Sequence, residues 1–234
     1  MHKFTLPPSE IARSIANRGM AHPFGTLDSG KTALVVIDMQ NYFVAPGAQG
    51  EIAMAREIVP AINRLAQAVR AAGSCVVWVQ NSTNNTRESW SVMANHLMTP
   101  ARAANRWAAM DEAAEGFKLW PALDAKPQDV YVIKKRFSAF IQGSSDIESY
   151  LKRNGIDTLL IAGTASNGCC EVSARDAVML NYKVVMISDA SATYTDDMHS
   201  NCLQFFYLVY GDVLTVDEAI AGLAATAPAR LRSA

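Results

Sequence analysis

The chain predicts an α/β protein, a three-layer α/β/α sandwich around a mostly parallel, Rossmann-like six-stranded sheet. Short apolar runs at 33–37, 75–79, 130–133, 158–162 and 184–187 recur between stretches of helical periodicity, and a sixth strand is expected near 212–214. The runs are continuously rather than alternately apolar, which is the pattern of strands covered on both faces, as in parallel sheets. Finally, 50% of the 234 residues are hydrophobic and 18% charged, which suits one well-buried core and is short for two ordinary domains.

Residues 1–30 are irregular and are expected to form an N-terminal extension packed on the body or on a partner subunit, with 31–234 as a single domain. After the first run, Ile58, Ile62, Leu65 and Val69 share one helical face. Pro60 stands near the start, where its missing N–H costs least, and Gly73 is placed as the C-terminal cap. This helix makes the first right-handed crossover. Residues 82–127 are too long for a simple connection and rich in Asn, Ala, Met and Trp, so function or an interface is expected there.

Ser144, Ser145 and Asp146 introduce a helix with Ile147, Tyr150 and Leu151 on one side, and Asn154-Gly155 ends it. A helix is expected over 171–180. Asp196 or Asp197 is placed as the cap of the next one, which carries Cys202, Phe205, Phe206 and Val209, and Asp217-Glu218 falls in the first turn of the last. The stretch 203–210 is apolar nearly all round, which points to burial on more than one side and to a subunit interface.

Composition narrows the function. Formal charge is -1 and no Lys/Arg run occurs, so there is no electrostatic footprint for nucleic acid or an anionic membrane, and a small-molecule partner is expected. The first twenty residues resemble neither a secretory leader nor a membrane span, and a cytoplasmic location is expected. Cys75, Cys169, Cys170 and Cys202 lack disulfide or metal spacing and read as free thiols. The histidines, His2, His22, His96 and His199, are isolated from one another; no metal and no cofactor is expected, with only His96, in the long excursion, held open.

In an open parallel sheet, ligands bind beyond the carboxyl ends of the strands, so the residues that end the apolar runs carry the information. The first run ends in Asp38, the third in Lys134, and the fourth leads through Gly163 to Cys169-Cys170 at the start of a helix. Backbone N–H groups and the helix dipole there favour a thiolate over a thiol. Each residue also has a plainer role open to it: a loop-capping Asp, a solvated Lys, a buried Cys. Strand alternation sends Lys134 and Lys135 in opposite directions, and Lys135 is the one read as ordinary surface.

Jointly, these positions resemble the isochorismatase-like family of cysteine hydrolases, over about 32–220. The likeness rests on Asp38-Met39-Gln40, on Lys134-Lys135-Arg136-Phe137-Ser138-Ala139-Phe140, and on Gly163 through Cys170 followed by Ser173-Ala174-Arg175-Asp176-Ala177. It implies a catalytic triad of Asp38, Lys134 and Cys169, with Cys170 as a packing residue. It also implies a cis peptide at Thr164-Ala165 that aims the Ala165 and Cys169 N–H groups at one oxyanion. The activity implied is cleavage of a C–N bond in a small amide, ureide or N-carbamoyl compound through a thioester, with release of ammonia or an amine.

Gln80-Asn81 resembles the ureidoacrylate and N-carbamoyl amidohydrolase branch, since side-chain amides can pair with a ureido group. Phe43 and Phe140 are placed as apolar pocket walls, or equally as core, and Trp90 and Asn95 as closing the pocket. Arg87 and Arg136 are candidates for a substrate carboxylate. The family implies a homo-oligomer, a dimer or tetramer. Three other readings compete: a non-catalytic ligand-binding module on the same fold, vinyl ether hydrolysis, which the family performs without a cysteine nucleophile, and a redox protein using Cys169-Cys170, which is disfavoured because adjacent cysteines close a strained ring.

Overall fold

The computed structural model describes residues 1–226; the end of the expected domain, 227–234, lies outside the described residues. Its centre is a sheet of β1 (Thr32–Ile37), β2 (Cys75–Asn81), β3 (Val130–Lys134), β4 (Thr158–Thr164), β5 (Lys183–Ala192) and β6 (Asp212–Leu214). Every pairing is parallel and the order is β3-β2-β1-β4-β5-β6. Chain direction therefore switches at the β1–β4 pair, where an open α/β sheet forms its binding crevice.

The helices are α1 (Pro8–Arg18), α2 (Asn41–Val44), α3 (Val59–Ala71), α4 (Ser91–Asn95), α5 (Pro100–Ala109), α6 (Ile147–Arg153), α7 (Glu171–Met179), α8 (Asp196–Val209) and α9 (Val216–Thr226). Although β1 is buried along its whole length, its residues divide between two cores. Leu34 and Val36 join Trp78, Leu160 and the apolar faces of α3 and α9. Ala33, Val35 and Ile37 join Val77, Ile161 and residues of α6, α7 and α8. A strand covered on both sides needs no polar face, which is why the sequence shows unbroken apolar runs.

Three helix boundaries follow from local chemistry. Pro60 sits in the first turn of α3, and Gly73, with φ 81, provides the left-handed turn beyond its end. The cap of α8 is Thr195, whose hydroxyl accepts from the Met198 N–H at 3.2 Å. Asp196 and Asp197 lie one position too far along to cap and instead occupy the first turn. On that helix Cys202 and Phe206 are buried, while Phe205 (48% exposed) and Val209 (53%) face outward, so 203–210 has one bare flank within the chain.

The N-terminal residues lie against α8 and β6. Arg18 donates to the Gly211 carbonyl at 2.9 Å, His22 pairs with Asp212 at 2.9 Å, and the Tyr207 hydroxyl donates to the Ala21 carbonyl at 2.6 Å. Thr193 N–H donates to His2 Nε2 at 3.0 Å. His2 Nε2 also lies 3.1 Å from the Thr193 carbonyl oxygen, and its Nδ1 lies 2.7 Å from Asp196 Oδ1. Among the described residues, no helix is long and apolar enough to cross a membrane.

Candidate active site

Asp38 follows β1 directly and adopts φ 54, a left-handed conformation that side chains other than glycine rarely take. Its backbone is held in place: its N–H donates to the Val79 carbonyl at 2.9 Å and its carbonyl accepts from Thr164 Oγ1 at 3.2 Å. Gly163 makes the close approach of β4 possible. It has φ 109, and a Cβ there would collide with the Ile37 carbonyl oxygen. Glycine is thus required at the strand crossing beside Asp38 on both conformational and steric grounds.

Lys134 ends β3 in register with Asn81 of β2. Its side chain is fully buried, and its Nζ forms an ion pair with Asp38 Oδ2 at 2.8 Å and donates to the Arg136 carbonyl at 3.0 Å. Burial works against this ammonium, but Asp38 and Cys169 together outweigh it and raise its pKa above the usual lysine value, so the ammonium keeps its charge. Cys169 lies in the tight turn Ser166–Cys170 between β4 and α7, preceded by a cis Thr164-Ala165 peptide. The Gly168 and Cys170 N–H groups both donate to the Ala165 carbonyl, at 2.9 and 3.1 Å.

The expected preference for a thiolate is corrected by these surroundings. Burial pushes the Cys169 thiol up to about 12, the Asp38 carboxylate adds to the rise, and Lys134 and Arg106 oppose it without prevailing. The resting site is a neutral thiol beside a carboxylate–ammonium pair. Cys170 is buried completely and its thiol is also pushed far up, mainly by desolvation and then by Cys169. Beneath the turn, Ser166 Oγ meets His199 Nδ1 at 2.8 Å and the Ser166 carbonyl accepts from the Cys202 thiol at 3.2 Å. His199 stacks on His2 with ring centroids 4.5 Å apart. Two histidines isolated in sequence therefore meet in space, although no group of three His, Cys, Asp or Glu among the described residues is placed to hold a metal ion.

The residues expected to bind substrate are more dispersed. Gln80 Nε2 donates to the Phe117 carbonyl at 2.9 Å. Asn81 spends its amide on the protein: Nδ2 donates to the Lys134 and Arg136 carbonyls at 3.3 and 3.2 Å, and Oδ1 accepts from Arg106. Asn81 thus fixes the Lys134 segment instead of offering a free amide. Phe140 is buried in the core cluster that also holds Cys169, with its ring centroid 6.1 Å from that of Tyr182. Trp90 lines a surface cavity of about 420 Å³ whose walls include Arg136, Phe137 and Ile141 but none of Asp38, Lys134 and Cys169. Asn95 is exposed on α4. Phe43 is half-buried and near the site, with its ring 5.9 Å from the Arg106 guanidinium carbon.

Of the two arginine candidates, Arg87 is exposed, and Arg136 donates to the Lys135 and Ser89 carbonyls while covering the Trp90 ring. The residue that sequence reasoning missed is Arg106 of α5. It is 5% exposed, and its charge bears on both Lys134 and Cys169. A signal for it existed, since Ala103, Arg106 and Met110 share one helical face and all three are buried.

The segment carrying Arg106 is strapped over the strand ends. Gln40 Nε2 donates to the Asn81 and Phe117 carbonyls at 3.0 and 2.9 Å, and the Trp120 N–H donates to the Met39 carbonyl at 2.9 Å. Cys169 is only 8% exposed.

A thiol, a carboxylate and an ammonium gathered at the switch point of a 3-2-1-4-5-6 sheet agree with the comparisons to known proteins. The family model described as the isochorismatase domain matches residues 32–218. The chain belongs to the isochorismatase family. It is 29% identical to the ureidoacrylate amidohydrolase RutB of Rhizobium rhizogenes over 94% of each chain. It is 32% identical to an Arabidopsis thaliana protein named "Probable inactive nicotinamidase", over 72% of this chain and 84% of that one. A solved cysteine hydrolase from Pseudomonas syringae superposes with a TM-score of 0.72 at 25% identity, over 86% of this chain and 95% of that chain. Membership of this family, with hydrolases among the relatives, supports a hydrolase.

Proposed function

We propose that the protein hydrolyses a C–N bond of a small amide, ureide or N-carbamoyl compound, with Cys169 as nucleophile, Asp38 as proton carrier and Lys134 as electrostatic partner of both. The observation that carries this reading is the buried 2.8 Å Asp38–Lys134 pair acting on the Cys169 thiol. A buried ion pair is weak evidence for stability, whereas at a strand-end crevice it is a means of moving a proton.

Because the thiol rests protonated, it reacts as it loses its proton. Asp38 takes that proton while Sγ bonds to the substrate carbonyl carbon, and Lys134 holds the carboxylate in place without itself giving up charge. The backbone N–H groups of Ala165 and Cys169 are assigned to the carbonyl oxygen as it becomes an oxyanion. Asp38 returns the proton to the leaving nitrogen, the C–N bond breaks, and ammonia or an amine departs. Water then adds to the thioester, giving its proton back through Asp38, and the C–S bond breaks to restore the thiol.

The test is a panel of small amides, ureides and N-carbamoyl acids scored for ammonia release, with intact-mass detection of the acylated protein. Wild type releases ammonia and gains the acyl mass on Cys169, and Cys169→Ala does neither. Ammonia release at the wild-type rate by folded Cys169→Ala rejects the nucleophile assignment. Closure over Cys169, together with a relative named inactive, also fits a non-catalytic binding protein. That reading predicts saturable binding of a panel member with no acyl mass on wild type.

A further inference from the structure

Arg106 is a buried cation with no carboxylate partner among the described residues. At 5% exposure it forms no ion pair with a carboxylate among the described residues, and its Nε has no hydrogen-bond partner. Among the described residues its one side-chain hydrogen bond is from Nη2 to Asn81 Oδ1 at 3.1 Å, and the guanidinium lies 5.4 Å from the Tyr42 ring centroid and 5.9 Å from that of Phe43. Arg70 shows the ordinary arrangement in this molecule, held by Asp129 at 2.6 Å and Asp124 at 3.0 Å. A buried charge without a counterion is costly, so an uncompensated arginine signals a partner that comes from outside.

Its position says where that partner goes. Asn81, the residue Arg106 touches, is the register partner of Lys134, and the Arg106 charge is felt at Lys134 and Cys169. Lys134 is already neutralised by Asp38. With Cys169 a neutral thiol, the two cations and one carboxylate leave a single net positive charge, located on Arg106. A planar fork flanked by two aromatic rings matches a carboxylate; a doubly charged phosphoryl group would need further donors.

We infer that Arg106 is the specificity residue of this site and pairs with a carboxylate of the substrate, so that the compound cleaved at Cys169 is a monoanionic amido or ureido acid. This rests on the hydrolase reading for the cleavage, but not for the binding, and the experiment separates the two. Cys169→Ala protein is titrated calorimetrically with N-carbamoylglycine, N-carbamoyl-β-alanine and N-carbamoyl-γ-aminobutyrate, each beside the alkylurea in which an isopropyl group replaces the carboxylate.

At least one acid is expected to bind about 10- to 100-fold more tightly than its uncharged isostere, the range for a hydrogen bond to a charged group. Arg106→Gln in the same background should abolish that preference, and Arg106→Lys should restore part of it. Equal binding of acid and isostere for all three pairs, or no binding of any, overturns the inference, as does a preference that survives in folded Arg106→Gln. The charge preference is read first on protein with Arg106 intact, so the result stands if the Gln variant does not fold. An acid that binds through Arg106 but yields no ammonia and no acyl mass with wild type refutes the hydrolase reading alone.

Discussion

The carboxyl edge of the sheet and the excursion over 82–127 are both needed to form the site, and they are built by opposite means. The edge is held by the sheet itself: Asp38 and the turn bearing Cys169 each follow a paired strand, Lys134 is the last residue of one, and Gly163 lets β1 and β4 approach where they meet. The excursion has short helices, few core residues and many polar ties, such as Ser82 and Lys135 to Glu112 at 2.8 Å each and Gln40 to Phe117. The contrast teaches a division of labour. On the proposed reading, the reacting groups stand on the rigid element and the group that selects the reactant stands on the element that tolerates change.

That division is exposed to attack, most sharply at Asp38. Asp38→Asn removes the proton carrier and should lower turnover by about 10⁴-fold or more, as loss of a member of a catalytic unit does. It also removes a charge that raises the Cys169 pKa, so alkylation by iodoacetamide at fixed pH should become faster. An unchanged alkylation rate would show that the carboxylate does not bear on the sulfur. Lys134→Met leaves Asp38 buried without its cation and should cost about 3–5 kcal/mol in urea denaturation. It should also slow alkylation, because Lys134 is what draws the thiol down. A stable variant with an unchanged alkylation profile would remove Lys134 from the site.

The next effect comes from beneath the nucleophile turn. Burial, with His2 as the second cause, lowers His199 from 6.5 to about 4, so the folded protein favours the neutral ring. Its contribution is fully present above pH 6.5 and is lost as pH falls toward 4, a decline of about 2 kcal/mol by pH 5 that His199→Gln should flatten. The smallest effect belongs to the excursion. Glu112→Gln breaks a largely exposed pair with Lys135 and should cost less than about 1 kcal/mol. A loss as large as that of Lys134→Met would mean that the two regions are one cooperative unit and would dissolve the contrast.

The same contrast separates what the sequence discloses from what it withholds. β1, β2, β4 and β5 announce themselves because a doubly covered strand has no polar face, whereas β3 is an apolar edge strand with Tyr131 and Ile133 exposed; reading on from the ends of these runs leads to Asp38, Lys134 and Cys169. The protonation of Cys169 could not be read this way, since helix-end position is local whereas desolvation and the nearness of Asp38 are tertiary. Residues placed from the excursion fared worse. Trp90 and Asn95 stand in a segment of weak periodicity, and the structure puts one on a separate cavity and the other in the open. Arg106 was overlooked because arginine usually marks the solvent side of a helix; here it stands between Ala103 and Met110 on the buried stripe.

The order β3-β2-β1-β4-β5-β6 also bears on biosynthesis. Thr32 and Thr158 are register partners at the centre of the sheet, so a chain emerging from the ribosome carries β1, β2 and the whole excursion before β1 meets its second neighbour. Until β4 arrives, one side of β1 is an apolar edge open to intermolecular pairing, which makes this a fold whose yield in the cell depends on how that interval is shielded.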